Sequence, residues 1–159
     1  MNHESVPHPE TVLRQLGLVL PPPPAPIASY RPWTRAGPLL FISGQVSTGS
    51  EGDWTGTLGR SAGLEDGIAA ARLCGLNLLS QMKAAVGDLG RVLCVLKLTG
   101  FVKASPGCPS IPQVLDGCSS LLVEVLGEAG NHARSAVGVA ELPRGCLVEV
   151  DAILEVSPE

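Results

Sequence analysis

The stretch "NHARSAVGVAELPRGCLVEVDAILEV", residues 131–156, holds the side chains best suited to chemistry. Arg134 stands at the entrance to its first apolar run. A guanidinium is permanently charged and planar, and it grips a carboxylate through two parallel hydrogen bonds. The same charge could instead pair with Glu149, Asp151 or Glu128. Glu149 alternates with the apolar residues of the last run. A half-buried carboxylate there has a raised pKa and can take a proton from water; on a solvated edge strand it would do neither. If the two runs form a hairpin about Leu-Pro-Arg-Gly, Arg134 and Glu149 can meet across the ladder.

Other candidates are weaker. His132 could serve as a general base, or be an exposed loop residue at a helix end. No residues at metal-ligand spacing accompany it. "SGQ", Ser43 to Gln45, could offer N–H or O–H groups to a ligand, or form a bulge or turn. The five cysteines, Cys74, Cys94, Cys108, Cys118 and Cys146, include no CxxC pair. Several fall in apolar periodic runs, where reduced cysteine packs as a small hydrophobe. They have no evident histidine partner for nucleophilic work. P-loop, GxGxxG and GxSxG motifs are absent.

These residues need a scaffold, and the composition supplies one. With 159 residues, 45% hydrophobic and 16% charged, the chain reads as one folded domain. Aromatics are only 3%, so Leu, Val, Ile and Ala must build the core. Net charge is −4, and Lys and Arg are isolated, which argues against a nucleic-acid partner. No apolar run reaches the roughly 20 residues of a membrane helix, and the N-terminus has no signal-peptide layout. Odd, unpaired cysteine usage points to a reducing, cytoplasmic setting.

Pattern then places the elements. Pro9 to Gly17 has the proline start and glycine end of a short helix. "LPPPPAPIASY" must be extended, because proline lacks an N–H and restricts its predecessor. Residues 1–26 thus form an N-terminal helix and proline-rich lead-in, and 27–159 the main domain. Pro38 to Ser47 reads as a buried strand ending at Ser43-Gly44. Leu64 to Asp88 is a helix with Ile68, Ala71, Gly75, Leu78, Leu79, Met82 and Val86 on one face. Arg91 to Ser105 is a long strand. Val114 to Gly130 is a second helix with a stripe of Val114, Cys118, Leu121, Leu122 and Val125. Two strands follow. In the last, Val148, Val150, Ala152, Leu154 and Val156 alternate with Glu149, Asp151, Ile153 and Glu155. The class is α+β, a single sheet layer with two helices on one face. Its other face needs cover, which a symmetric oligomer would give.

Together "IASYRP", "LLFISGQV", "GIAAARLCGLNLLSQMKAAVGDLGRV", "LTGFVKAS" and "ARSAVGVAELPRGCLVEVDAI" resemble the reactive intermediate deaminase family, RidA, also called YjgF or L-PSP endoribonuclease-like. The similarity runs from about Leu20 to the C-terminus. It implies a chorismate-mutase-like fold with mixed sheet, a homotrimer whose sheets pack into a central barrel, and ligand clefts between subunits. It implies hydrolysis of 2-imino acids to 2-keto acids and ammonia, with no metal or cofactor.

The resemblance also assigns roles. Arg134 corresponds to the carboxylate-binding arginine and Glu149 to the glutamate that positions water. Tyr30, Ser43 and Gly44 match substrate-side positions. Ala136 stands where cysteine is common, so only its backbone groups could serve. Pro112 and Asp116 depart from the family pattern. Asp116 could repel a ligand carboxylate or contact an ammonium-like nitrogen. Two alternatives therefore stay open: a non-catalytic module that binds keto or amino acids, and a ribonuclease, which the acidic balance and scarce aromatics disfavour.

Overall fold

The computed structural model describes residues 7–158. Helix α1 spans Pro9–Gln15, starts on proline, and is capped by the His8 side chain, which accepts from the Glu10 N–H. A proline-rich strap follows. The sheet strands are β1 (Trp33–Ala36), β2 (Leu39–Val46), β5 (Val92–Lys103), β6 (Ala133–Val139) and β7 (Val148–Val156). A small hairpin, β3 (Thr48–Gly49) and β4 (Gly52–Asp53), stands apart. Helix α2 spans Leu64–Val86, and a short α3 (Ile111–Val114) precedes α4 (Asp116–Leu126). The second helix expected from the sequence is thus split, begins at Ile111, and ends in a 3-10 turn over Gly127–Gly130. Gly127, at φ 59, ends the α-helical part.

The sheet order is β1-β2-β7-β5-β6. All pairs are antiparallel except β5 with β6. This corrects one expectation. β6 and β7 do not form a hairpin, because β5 lies between them. The return through α3 and α4 lays β6 parallel to β5, as helical crossovers do. The Leu-Pro-Arg-Gly segment then carries the chain past the end of β5. There the Lys103 N–H donates to Leu147 O at 2.9 Å, and the Ala104 N–H donates to Val139 O at 3.2 Å. Arg144, at φ 55, makes the bend.

The apolar stripes found in the sequence do face the core. Ala71, Leu78, Leu79 and Met82 of α2 and Val114, Cys118, Leu121 and Leu122 of α3 and α4 are fully buried, as are Val148, Val150 and Leu154 of β7. Glycine lets the two long helices touch. A Cβ at Gly117 would strike the backbone carbonyl of Ile68. Burial raises the thiols of Cys74 and Cys118, the latter to about 12, so both pack as core residues.

The sheet's two faces differ. Leu98 and Ala152, which are register partners, face the helices and are buried. Across the next rungs, Val137, Phe101 and Glu149 share the opposite face. Phe41, Leu96 and Val137 stay exposed there. No helix among the described residues is long and apolar enough to cross a membrane.

Candidate functional site

Strand β2 does not stop at Ser43-Gly44. Its pairing with β7 shifts between Ile42 and Gln45 and resumes to Val46, so Ser43 and Gly44 form a bulge. The bulge has a specific use. A Cβ on Gly44 would collide with Glu149 Oε1, so glycine provides the seat for that carboxylate. Ser43 fixes the neighbouring loop, its N–H donating to Pro32 O at 3.0 Å and its hydroxyl to Arg31 O at 2.7 Å.

Around this seat lies a cleft of about 460 Å³. Tyr30, Ser43, Gly44 and Glu149 all line it, with Pro24, Pro26, Ile27 and Ala28 of the strap. Burial pushes the Glu149 carboxyl up, and the nearby Asp151 charge adds to the rise. A carboxylate of raised pKa facing a cleft suits proton transfer. The cation lining this cleft is Arg144, and it is committed elsewhere. Its Nε and Nη2 grip Asp53 at 2.7 and 2.9 Å, which holds that carboxyl below its ordinary range.

Arg134 lies elsewhere. Its register partner is Leu98, so it faces the helices, whereas Glu149 faces the other way. Nη1 donates to Asp116 Oδ1 at 2.9 Å and to Ser119 Oγ at 3.1 Å; Nη2 donates to Pro112 O at 3.1 Å. The arginine's ion-pair partner is thus Asp116, not Glu149, Asp151 or Glu128. Of the five N–H donors of a guanidinium, three are so engaged. Nε and one Nη2 hydrogen have no partner among the described residues. Ala136, two positions on, packs against the core and offers backbone groups only.

The sequence-derived site residues therefore fall into two groups. Tyr30, Ser43, Gly44 and Glu149 converge on one cleft, whereas Arg134 is hydrogen-bonded to Asp116 and Pro112 in a separate cluster. Ser119 was missed, although it follows Asp116 by three positions and helical spacing puts both on one face. His132 is not a free base: Nδ1 contacts Gly130 O at 2.6 Å and Nε2 contacts Ser119 Oγ at 2.9 Å. Gln81 was also missed; its signal was polarity within an otherwise buried run. Among the described residues, no group of three or more His, Cys, Asp or Glu could hold a metal ion.

A mixed five-stranded sheet with the long helices on one face defines an α+β protein of chorismate-mutase-like fold. Comparison with known proteins gives the family. Residues 10–155 match the model described as "YjgF/chorismate mutase-like, putative endoribonuclease", and the chain belongs to this YjgF/RidA family. Protein TCP17 of Trypanosoma cruzi is 46% identical over 147 residues, covering 91% of this chain and 92% of its own. The crystal structure of Atu1372 from Agrobacterium tumefaciens is 43% identical, with a TM-score of 0.86 and coverage of 94% of both chains. A Shewanella oneidensis protein named as a "putative endoribonuclease" is 35% identical, with a TM-score of 0.91, covering 94% of this chain and all of that one.

Proposed function

We propose that the protein hydrolyses 2-imino acids to 2-keto acids and ammonia, at sites shared between neighbouring copies of a homotrimer. One observation carries this reading. The cleft that holds Glu149, Tyr30, Ser43 and Gly44 has its own arginine tied to Asp53, while Arg134, with two donors to spare, sits on the opposite face of the same sheet. A single chain cannot bring the two together. A ring of copies can, and it would also cover Phe41, Leu96 and Val137 on the open sheet face.

In this reading Arg134 of one copy takes the substrate carboxylate on its remaining fork, turning an encounter into an oriented complex. Glu149 of the next copy orders a water against the imine carbon. The water oxygen bonds to that carbon as its proton passes to the carboxylate. The C=N π pair moves to nitrogen, which takes that proton from the carboxylate to give the carbinolamine. Its hydroxyl proton then passes through the same carboxylate to the amine as the C–N bond breaks and C=O forms, releasing ammonia and the keto acid. Such imines hydrolyse unaided, so modest acceleration suffices.

The test is ammonia release from 2-iminobutyrate or 2-iminopropionate generated in situ. Acceleration over buffer that disappears in Arg134→Ala supports the reading; no acceleration with several imino acids sinks it. A second reading, binding of keto or amino acids without turnover, is favoured by the Arg134–Asp116 ion pair, which already partly neutralises the guanidinium. Saturable calorimetric binding of 2-ketobutyrate with no imine hydrolysis would select it.

A further inference from the structure

The proline-rich strap, residues 19–28, has no role in the proposed chemistry. A polyproline II helix repeats every three residues. Pro21 and Pro24 therefore share a face, and both are half-buried while Pro22 and Pro23 are exposed. Their carbonyls are held by adjacent residues of α2. The Ser80 hydroxyl donates to Pro21 O at 2.5 Å, and Gln81 Nε2 donates to Pro24 O at 2.7 Å. Gln81 is 1% exposed. An unpaired buried amide or carbonyl is costly, so this latch fixes the strap firmly.

The latch continues into the site. Gln81 Nε2 also donates to Gln45 Oε1 at 3.4 Å, and Gln45 Nε2 donates to Ser43 O at 2.9 Å. One chain of buried amides thus connects the strap to the bulge that seats Glu149. Beyond the latch, Pro24, Pro26 and Ile27 line the Glu149 cleft. This wall is apolar, and its prolines have no N–H to offer.

We propose that this strap is the wall against which the substrate side chain packs, and that it selects imino acids with apolar side chains over acidic ones. The inference rests on the imine reading for its substrate class. An apolar wall gains about fourfold in affinity per methylene buried. Its prolines give a second carboxylate no N–H, the Ile27 N–H is already donated to the Tyr30 hydroxyl, and Arg144, the cation lining the cleft, is bidentate on Asp53.

The experiment compares kcat/KM for imino acids generated by amino-acid oxidases from alanine, norvaline and glutamate. The wild type favours the norvaline-derived imine and turns over the glutamate-derived one least, by tenfold or more. Ile27→Ala lowers the norvaline-to-alanine ratio several-fold, and Gln81→Leu does the same by freeing the strap. Ile27 is 52% exposed, so its variant folds even if the Gln81 variant does not. A merely structural strap would lower all three substrates together. A preference for the glutamate-derived imine, or an unmoved norvaline-to-alanine ratio in Ile27→Ala, overturns the proposal while leaving the imine reading standing. If the wild type hydrolyses none, that reading fails, and calorimetry with pyruvate, 2-ketovalerate and 2-ketoglutarate still tests the wall: the same order upholds it, and equal or reversed affinities reject it.

Discussion

Arg134 and Glu149 lie on opposite faces of one sheet, with β5 between their strands. If they serve one ligand, they do so from different copies, and inactive chains should complement one another. Arg134→Ala and Glu149→Gln, each inactive alone, are expected to recover about a quarter of wild-type activity when co-refolded at equal amounts, since random assembly pairs an intact arginine with an intact glutamate at about that frequency. Recovery that stays at background would place both residues in separate functions.

The Gly44 seat gives a second expectation. Gly44→Ala places a methyl where the Glu149 carboxylate rests. The obstructing atom is the end of a flexible side chain, so the fold should survive with a Tm near that of the wild type. The displaced carboxylate should lower kcat by tenfold or more, approaching the Glu149→Gln level. Steady-state kinetics beside a thermal melt would separate the two effects.

Glu149 also predicts a pH signature. Burial first, and Asp151 second, raise its pKa above the ordinary glutamate value of 4.5. A carboxyl raised on folding binds its proton more tightly in the native state. Its contribution to stability is therefore present below about pH 4.5 and lost as pH rises through the raised value. Glu149→Gln should accordingly raise Tm at pH 8, with the gain vanishing near pH 4. Activity should run the other way, falling as pH drops through the raised value. Asp151→Asn should move that acid limb to lower pH; a limb that does not move would remove Asp151 from the account.

The Arg134 seat is testable through binding. Ser119→Ala removes one of the two acceptors on Nη1, leaving Asp116 and Pro112. KM should rise several-fold with kcat nearly unchanged, the mark of an interaction made equally in ground and transition states. Ser119→Thr keeps the hydroxyl and should restore KM.

The helix contact that sets this seat is a matter of packing. Gly117→Ala drives a methyl into the backbone carbonyl of Ile68, which cannot rotate away as a side chain could. A cost of about 2 kcal/mol is expected, lowering Tm by roughly 4–8 °C, measured by calorimetry.

What the sequence disclosed follows from physics that is local. The periods of α2 and β7 read correctly because burial on one face repeats at fixed intervals. The Arg134–Glu149 hairpin was misread because a short turn between two strands looks alike whether they pair or pass on either side of a third. Nothing in residues 133–156 records that β5 will insert between them; the apolar weight of Val92–Lys103 and the intervening helices decide it. Asp116 stood out only through the family pattern, and its bond to Arg134 depends on α4 crossing the end of β6. Gln45 and Gln81 are far apart in sequence, and only the fold makes their amides neighbours.

The strap's latch has one more consequence. Ser80 and Gln81 hold main-chain carbonyls, not side chains. The grip is indifferent to which residues project from the strap, provided the extended backbone keeps its three-residue repeat. If the strap is the substrate wall proposed above, substitutions at Pro26, Ile27 and Ala28 would retune substrate range while leaving the sheet, its bulge and its glutamate untouched.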